Sequence, residues 1–188
     1  MVTRLTLDET FLKVARIMAE RGTCARRKVG CVLVNALGHV LATGYNGMAN
    51  GMDHCIDKPC PGADKKSGSS TSLYQCEAIH AEQNALLQCK DVQEIDTCYV
   101  TCSPCTQCTK LLLNTGCKKV IFIEESSHNE EAASLWFKSR LKHTISISEE
   151  SVYDYAQKER VWRKFSWKEI TIQSPIIIDI KERMVTNE

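Results

Sequence analysis

The chain has 188 residues, with 24 Lys and Arg against 23 Asp and Glu and a net charge of +1. That length holds one domain with a sizeable core. The near-neutral charge argues against bulk electrostatic binding of nucleic acid, and no apolar run approaches the roughly 20 residues that cross a bilayer. The first residues turn acidic at Asp8-Glu9, where an export signal needs an apolar stretch. A cytoplasmic protein with no membrane partner is expected. The 11 cysteines are odd in number, which argues against a disulfide framework in such a chain. Reduced thiols are then either small buried apolar residues or metal ligands.

Taken in chain order, residues 8–21 predict a helix, with Phe11, Leu12, Val14, Ala15, Ile17 and Met18 on one stripe and Asp8 as its cap. Val29–Val34 predicts a buried strand. Asn35-Ala36-Leu37-Gly38 predicts a turn, and His39–Thr43 a returning strand. Residues 44–70, rich in Gly, Asp, Pro and Ser, form a long connection of the kind that is functional or tied down. A helix follows over Ile79–Cys89 and a strand over Thr97–Thr101. A second short helix over Thr106–Thr115 has Gly116 as its C-cap. Lys119–Ile123 predicts a strand, Glu130–Leu141 a helix and Thr144–Ser148 a fifth strand. This alternation predicts an α/β sheet with helices on both faces.

No repeat or linker divides the chain, so one domain is expected over residues 1–150, with a C-terminal extension over 151–188. In that extension Val161–Lys168 interleaves aromatic and basic residues, and Pro175–Ile180 has strand character. Packing on the body or on a neighbouring subunit is its expected role; contact with nucleic acid is the alternative.

Chemistry concentrates at two helix starts. His80-Ala81-Glu82 opens one, and Pro104-Cys105-Thr106-Gln107-Cys108 opens the other. H-x-E with P-C-x-x-C is the pattern of zinc nucleobase deaminases. Cys105 and Cys108, three apart, share a helix face, and the positive end of a helix favours thiolates. One imidazole and two thiolates leave the fourth position of zinc open to water, as a catalytic site requires. Glu82 is placed to take that water's proton, protonate ring N3 of a cytosine attacked at C4, and pass a proton to the leaving amine.

The sequence resembles the deoxycytidylate (dCMP) deaminase family, including its competence-operon type, from about Phe11 to Leu141. The marks are Val29-Gly30-Cys31-Val32-Leu33-Val34, the stretch Gly44-Tyr45-Asn46-Gly47-Met48-Ala49-Asn50-Gly51, Ile79–Ala85, and Tyr99-Val100-Thr101 leading into Pro104-Cys105. The Gly-Tyr-Asn-Gly run separates it from tRNA adenosine and riboflavin-pathway deaminases. Cytidine deaminases usually have Cys at the place of His80. The resemblance implies a three-layer α/β/α fold with a five-stranded mixed sheet, and hydrolysis of dCMP to dUMP for dTMP synthesis. It also implies a homohexamer, with activation by dCTP with Mg²⁺ and inhibition by dTTP. Residue by residue, it implies His80, Cys105 and Cys108 as ligands of the catalytic zinc and Glu82 as proton shuttle. Asn46, Ala81 and Ser103 would contact substrate. Gly44, Asn46, Gly47, Asn50 and Gly51 would border the effector site. Other cytosine substrates are the alternative: dCTP, a 5-substituted dCMP, or cytosine in a polynucleotide.

A nucleotide also needs a phosphate contact. Arg26-Arg27-Lys28 is the densest basic cluster near the motifs, and Arg26 is the first choice, against a merely solvated basic turn. Two positions depart from the family pattern. Ser127 stands where many members have Tyr, and Ala49 where they have Pro. Finally, Cys24, Cys55, Cys60 and Cys76 lie in loop or pre-helix positions around the long connection, unlike Cys31, Cys89, Cys98, Cys102 and Cys117. Family members with an extra zinc use cysteines matching Cys24 and Cys55. A structural Cys₄ zinc site pinning the loop is therefore expected, with His54 as a substitute for one cysteine and four unliganded thiols as the alternative.

Overall fold

The computed structural model describes residues 4–65, 75–139 and 161–165. Its elements run α1 (Leu7–Glu20), β1 (Gly30–Asn35), β2 (Val40–Tyr45), α2 (Ala81–Gln88), β3 (Ile95–Cys102), α3 (Thr106–Leu113), β4 (Lys119–Glu124), α4 (Asn129–Lys138) and β5 (Val161–Lys164). The sheet order is β2-β1-β3-β4-β5. β1 pairs antiparallel with both β2 and β3, while β3–β4 and β4–β5 are parallel, so the sheet is mixed.

Strand alternation sorts the core into two layers. Cys31 and Leu33 of β1, Cys98 and Val100 of β3, and Val120 and Phe122 of β4 face one side, where they meet Ala81 and Ala85 of α2, Leu112 of α3 and Trp136 of α4. The intervening residues Val32, Val34, Tyr99 and Ile121 face the other side and meet Phe11, Leu12 and Ala15 of α1. One helix therefore covers one face and three cover the other: the expected α/β/α arrangement with a five-stranded mixed sheet.

Several expected details differ. Thr6, not Asp8, caps α1: its hydroxyl accepts the Glu9 N–H at 3.3 Å, and the Glu9 carboxylate accepts the Thr6 N–H at 2.6 Å. Asp8 instead accepts the Tyr99 hydroxyl at 2.7 Å and pairs with Arg163. Asn114, not Gly116, is the C-cap of α3. Gly116 answers a packing demand, since a Cβ there would lie 2.0 Å from the Gln93 carbonyl oxygen.

The fifth strand is Val161–Lys164, which the sequence places in the extension; Thr144–Ser148 lies outside the described residues. Trp162 decides the matter physically. Its ring meets Phe122 at 5.8 Å and Trp136 at 5.9 Å, and its indole N–H donates to Asn129 at 3.0 Å. An aromatic of that size, half-buried with its polar edge satisfied, outweighs the neighbouring Arg163 and Lys164 as a determinant of placement.

Gly44 fixes the seat of α2. A Cβ at Gly44 would lie 2.2 Å from the Ala81 carbonyl oxygen and 2.5 Å from the Ala85 nitrogen, so helix backbone rests directly on strand backbone. The same contact exists on the opposite face, where a Cβ at Gly30 would lie 1.9 Å from the Ala15 carbonyl oxygen. Gly44→Ala should therefore destabilise the protein by about 1–3 kcal/mol or more through forced backbone displacement. Chemical denaturation checks this, with a lowered midpoint expected.

Candidate active site

The two helix starts named by the sequence meet where β3 and β4 end. His80 is the N-cap of α2, with its backbone N–H held by the Gln83 side chain at 2.8 Å. Cys105 is the N-cap of α3, and Cys108 lies in the first turn of that helix. Nδ1 of His80 is 3.5 Å from Cys105 Sγ and 3.4 Å from Cys108 Sγ, and the three donor atoms lie within 4.8 Å of one another. The set suits zinc, which takes imidazole and thiolate in tetrahedral array.

Electrostatics points the same way. Cys105 is lowered to about 3, first by the hydrogen bond from Cys108 and, against burial, by the bond from His80. His80 is raised to about 9, chiefly by that bond to Cys105. Cys108 is pushed far up by its bond to Cys105 and by burial. The donors thus hold a thiolate beside protons that a dication would displace. Glu82 is 4% exposed, and burial raises its pKa. It also hydrogen-bonds Cys108, which puts a carboxyl group of shifted affinity against the donor set, in the position a proton carrier requires.

The pocket around these groups is also lined by Arg26, Arg27, Asn46, Ala81, Ser103 and His128. Asn46, which is buried, is committed to backbone: its Oδ1 accepts the Val29 N–H at 2.8 Å and its Nδ2 donates to the Arg27 carbonyl at 2.8 Å. Asn46 therefore fixes the chain entering β1. Arg26 donates to the Gly62 carbonyl at 3.3 Å. Ala81 forms the floor, fully buried. Ser103 accepts the Ser126 N–H at 2.8 Å and lies 3.1 Å from the Ser126 hydroxyl, which braces the wall.

Some lining residues were not singled out by motif. Arg27 donates to Cys102 Sγ at 2.8 Å across the pocket. Cys102 and Ser126 carry no motif signal: Cys102 directly follows a predicted strand, and Ser126 lies in the loop after Lys119–Ile123. Ser127 lies in the lining with His128, so the small side chain at the family's Tyr position does border this cleft.

The expected effector residues take separate places. Gly44 supports α2. Gly47 pairs with Ile79 through two backbone bonds of 3.1 and 2.8 Å, which ties the loop to the residue before His80. Asn50 and Gly51 sit in a turn closed by the Met52 N–H to the Ala49 carbonyl at 3.1 Å, with Gly51 at φ 85°. That angle favours glycine.

The four loop cysteines fall into two contacts. Cys55 Sγ is 3.7 Å from Cys60 Sγ. Cys24 and Cys76 are free thiols, and the Cys76 thiol beside Cys24 lowers it to about 5, against burial and with help from the backbone amides of Arg27 and Arg26. Cys24 and Cys76 also line the catalytic pocket. His54 is exposed on the loop surface. By contrast Cys31 and Cys98 face each other at 3.6 Å inside the core.

Residues 5–124 match the model of the cytidine and deoxycytidylate deaminase zinc-binding region. The deoxycytidylate deaminase of Saccharomyces cerevisiae is 36% identical over 131 residues, covering 69% of this chain and 41% of that protein. This chain thus spans 41% of the length of that relative. The deoxycytidylate deaminase of Mycobacterium phage D29 is 39% identical over 132 residues, covering 66% of this chain and all of that protein. Among solved structures, the dCMP deaminase of cyanophage S-TIM5 superposes with a TM-score of 0.53 at 27% identity, covering 71% of this chain and 94% of that one.

Two outcomes test the geometry. Cys105→Ala should abolish metal binding at the pocket, read by metal analysis of the purified protein. Asn46→Ala strands a backbone N–H and a carbonyl and should cost about 1–3 kcal/mol for each group left unsatisfied, read as a lowered denaturation midpoint.

Proposed function

Because the chain belongs to the cytidine and deoxycytidylate deaminase zinc-binding family, we propose that it hydrolyses dCMP to dUMP and ammonia at the His80–Cys105–Cys108 pocket. The single observation that carries this is the convergence of those three donors within 4.8 Å beside buried Glu82. Zinc held there supplies, when bound, a water of lowered pKa. Glu82 would take one proton from the attacking water and deliver it to ring N3 as the oxygen adds at C4. It would then take the proton of the new C4 hydroxyl and pass it to the amine, so that the C4–N bond breaks, ammonia leaves and the C4 carbonyl of dUMP forms. Burial, which favours the protonated carboxyl, suits Glu82 to the delivering half of this cycle. Ala81 and Ser103 shape the cleft that receives the base, and Asn46 holds the strand entrance against it. Arg26 is the proposed contact for the 5′-phosphate, with Arg27 beside it. Near-neutral charge supports a free nucleotide over a polynucleotide substrate.

Finer parts of the reading rest on the resemblance and on local geometry. The Gly44–Gly51 segment is the proposed binding edge for dCTP with Mg²⁺, and for dTTP, in a homohexamer of the cytoplasm. The Gly47–Ile79 bridge gives such binding a physical path to His80. Residues 1–150 form the proposed deaminase unit and 151–188 its extension. Cys24, Cys55, Cys60 and Cys76 are the proposed ligands of a second, structural zinc. In support, a tetrahedron of 2.3 Å Zn–S bonds has edges of about 3.8 Å, close to the 3.7 Å between Cys55 and Cys60.

Glu82→Gln should lower turnover by about 10²–10⁴-fold or more while zinc stays bound; near-normal turnover removes the assigned role. Ammonia release measured with dCMP, dCTP, deoxycytidine and a cytosine-containing oligonucleotide should be greatest with dCMP. Reaction with the oligonucleotide alone would overturn the substrate. Metal analysis should find a second zinc per chain that Cys60→Ala removes. A wild-type content of one zinc rejects the structural site. If the effector reading holds, velocity against dCMP is sigmoidal and turns hyperbolic with dCTP and Mg²⁺.

A further inference from the structure

Arg26 and Arg27 leave the same turn, yet their guanidinium groups go to different acceptors. Arg26 donates to the Gly62 carbonyl at 3.3 Å. Arg27 reaches across the catalytic cleft and donates to Sγ of Cys102 at 2.8 Å. The acceptors are unequal, because a carbonyl oxygen takes a hydrogen bond well and a thiol sulfur takes one weakly. Among the described residues, that sulfur is the one hydrogen-bond acceptor the Arg27 guanidinium meets. The backbone of Arg27, by contrast, is pinned. Its carbonyl takes Nδ2 of buried Asn46 at 2.8 Å, and Oδ1 of the same amide takes the Val29 N–H at 2.8 Å. The residue is therefore fixed at the cleft, and its exposed side chain alone is left to change partner.

The wall on which this guanidinium rests suits an anion. Cys102 ends β3. The next residue, Ser103, accepts the Ser126 N–H at 2.8 Å and donates its hydroxyl to that of Ser126 at 3.1 Å. Ser103 thus spends its proton on Ser126, which keeps its own for another acceptor. Arg27, Cys102, Ser103 and Ser126 all line the cleft, and among the described residues Glu82 is the one carboxyl group in that lining.

We propose that Arg27 is an exchanging phosphate ligand: its guanidinium rests on the Cys102 thiol and passes to the 5′-phosphate when a nucleotide enters the cleft. The proposal rests on the reading of that pocket as a dCMP site, and it adds a second arginine to the contact proposed for Arg26. Charge-assisted bonds are roughly twice as strong as neutral ones, and arginine makes two in parallel to a phosphate. Giving up a thiol for them costs little. A carboxylate at position 102 would compete with the phosphate for the same fork; a neutral sulfur leaves the phosphate the stronger partner. The contact selects nucleotide over nucleoside and takes no part in the proton transfers of Glu82.

Wild type, Arg27→Ala, Arg27→Lys, Lys28→Ala and Cys102→Ala separate the possibilities. KM is measured for dCMP, together with the inhibition constant of deoxycytidine, which reads nucleoside binding whether or not the nucleoside reacts. Arg27→Ala should raise the ratio of the first to the second by about 10-fold or more, the scale of one charge-assisted hydrogen bond. Arg27→Lys keeps the charge without the fork and should recover only part of that loss. Lys28→Ala should keep the wild-type ratio, because the Lys28 ammonium lies toward the Glu20 carbonyl at 3.5 Å and outside the cleft lining. Cys102→Ala removes the resting acceptor and should not raise the ratio. An unchanged ratio in Arg27→Ala overturns the proposal. So does an equal rise in Lys28→Ala, which marks a general effect of charge, or a comparable rise in Cys102→Ala, which means that the guanidinium works from the thiol and does not leave it. If the wild type leaves dCMP intact, the substrate reading fails separately. Calorimetric binding of dCMP and deoxycytidine to wild type and Arg27→Ala then decides the phosphate contact. A loss confined to dCMP supports it; an equal loss on both, no loss, or no binding of dCMP to the wild type overturns it.

Discussion

Everything at the pocket depends on two helices beginning at one place. The imidazole at the start of α2 and the thiols at the start of α3 must come within 3.5 Å, although β3 separates them in sequence. Side chains alone do not achieve this; backbones must touch. Gly44 lets the α2 backbone rest on β2, and Gly116 lets the chain after α3 pass against the Gln93 carbonyl. The metal donors are therefore held by packing that tolerates no methyl group, in an interior whose density leaves little room to adjust. The site is rigid because its supports are glycines in contact, not because its ligands are stiff.

The donors at that meeting point are poised and not neutral. A thiolate beside a protonated imidazole and a proton-bearing thiol is a set waiting for a dication, whose charge replaces the protons. The loop cysteines repeat the theme in a different idiom. There the sulfurs gather backbone amides from the loop and from the turn that carries the arginines. Two of them, Cys24 and Cys76, border the same cleft as His80 and Cys105.

Local pattern carried much of this into the sequence. H-x-E and P-C-x-x-C are short spacings that helix geometry reads directly, so His80, Glu82, Cys105 and Cys108 were legible. The alternation of strand and helix segments along the chain predicted a sheet with helices on both faces. What was illegible depends on pairings far apart in the chain. Nothing near Asn46 shows that its amide is spent on Val29 and Arg27, and nothing near Arg27 announces Cys102. The Thr6–Glu9 capping box was legible as Thr-x-x-Glu, but Asp8 stands nearer the apolar stripe and draws the assignment. For the fifth strand, two segments have strand character, and only the indole-sized space between Phe122 and Trp136 distinguishes Val161–Lys164.

That last pairing has a consequence for how the chain is made. β4 lies between β3 and a strand drawn from much later in the sequence, with Phe165 closing the ladder on the Phe122 carbonyl at 2.6 Å. During synthesis, every residue that lines the pocket leaves the ribosome well before β5 does. Until residue 165 is free, β4 is an open edge with Phe122 and Trp136 lacking their aromatic partner, and such edges recruit foreign strands. The nascent chain is thus most open to aggregation in the interval before its sheet is closed.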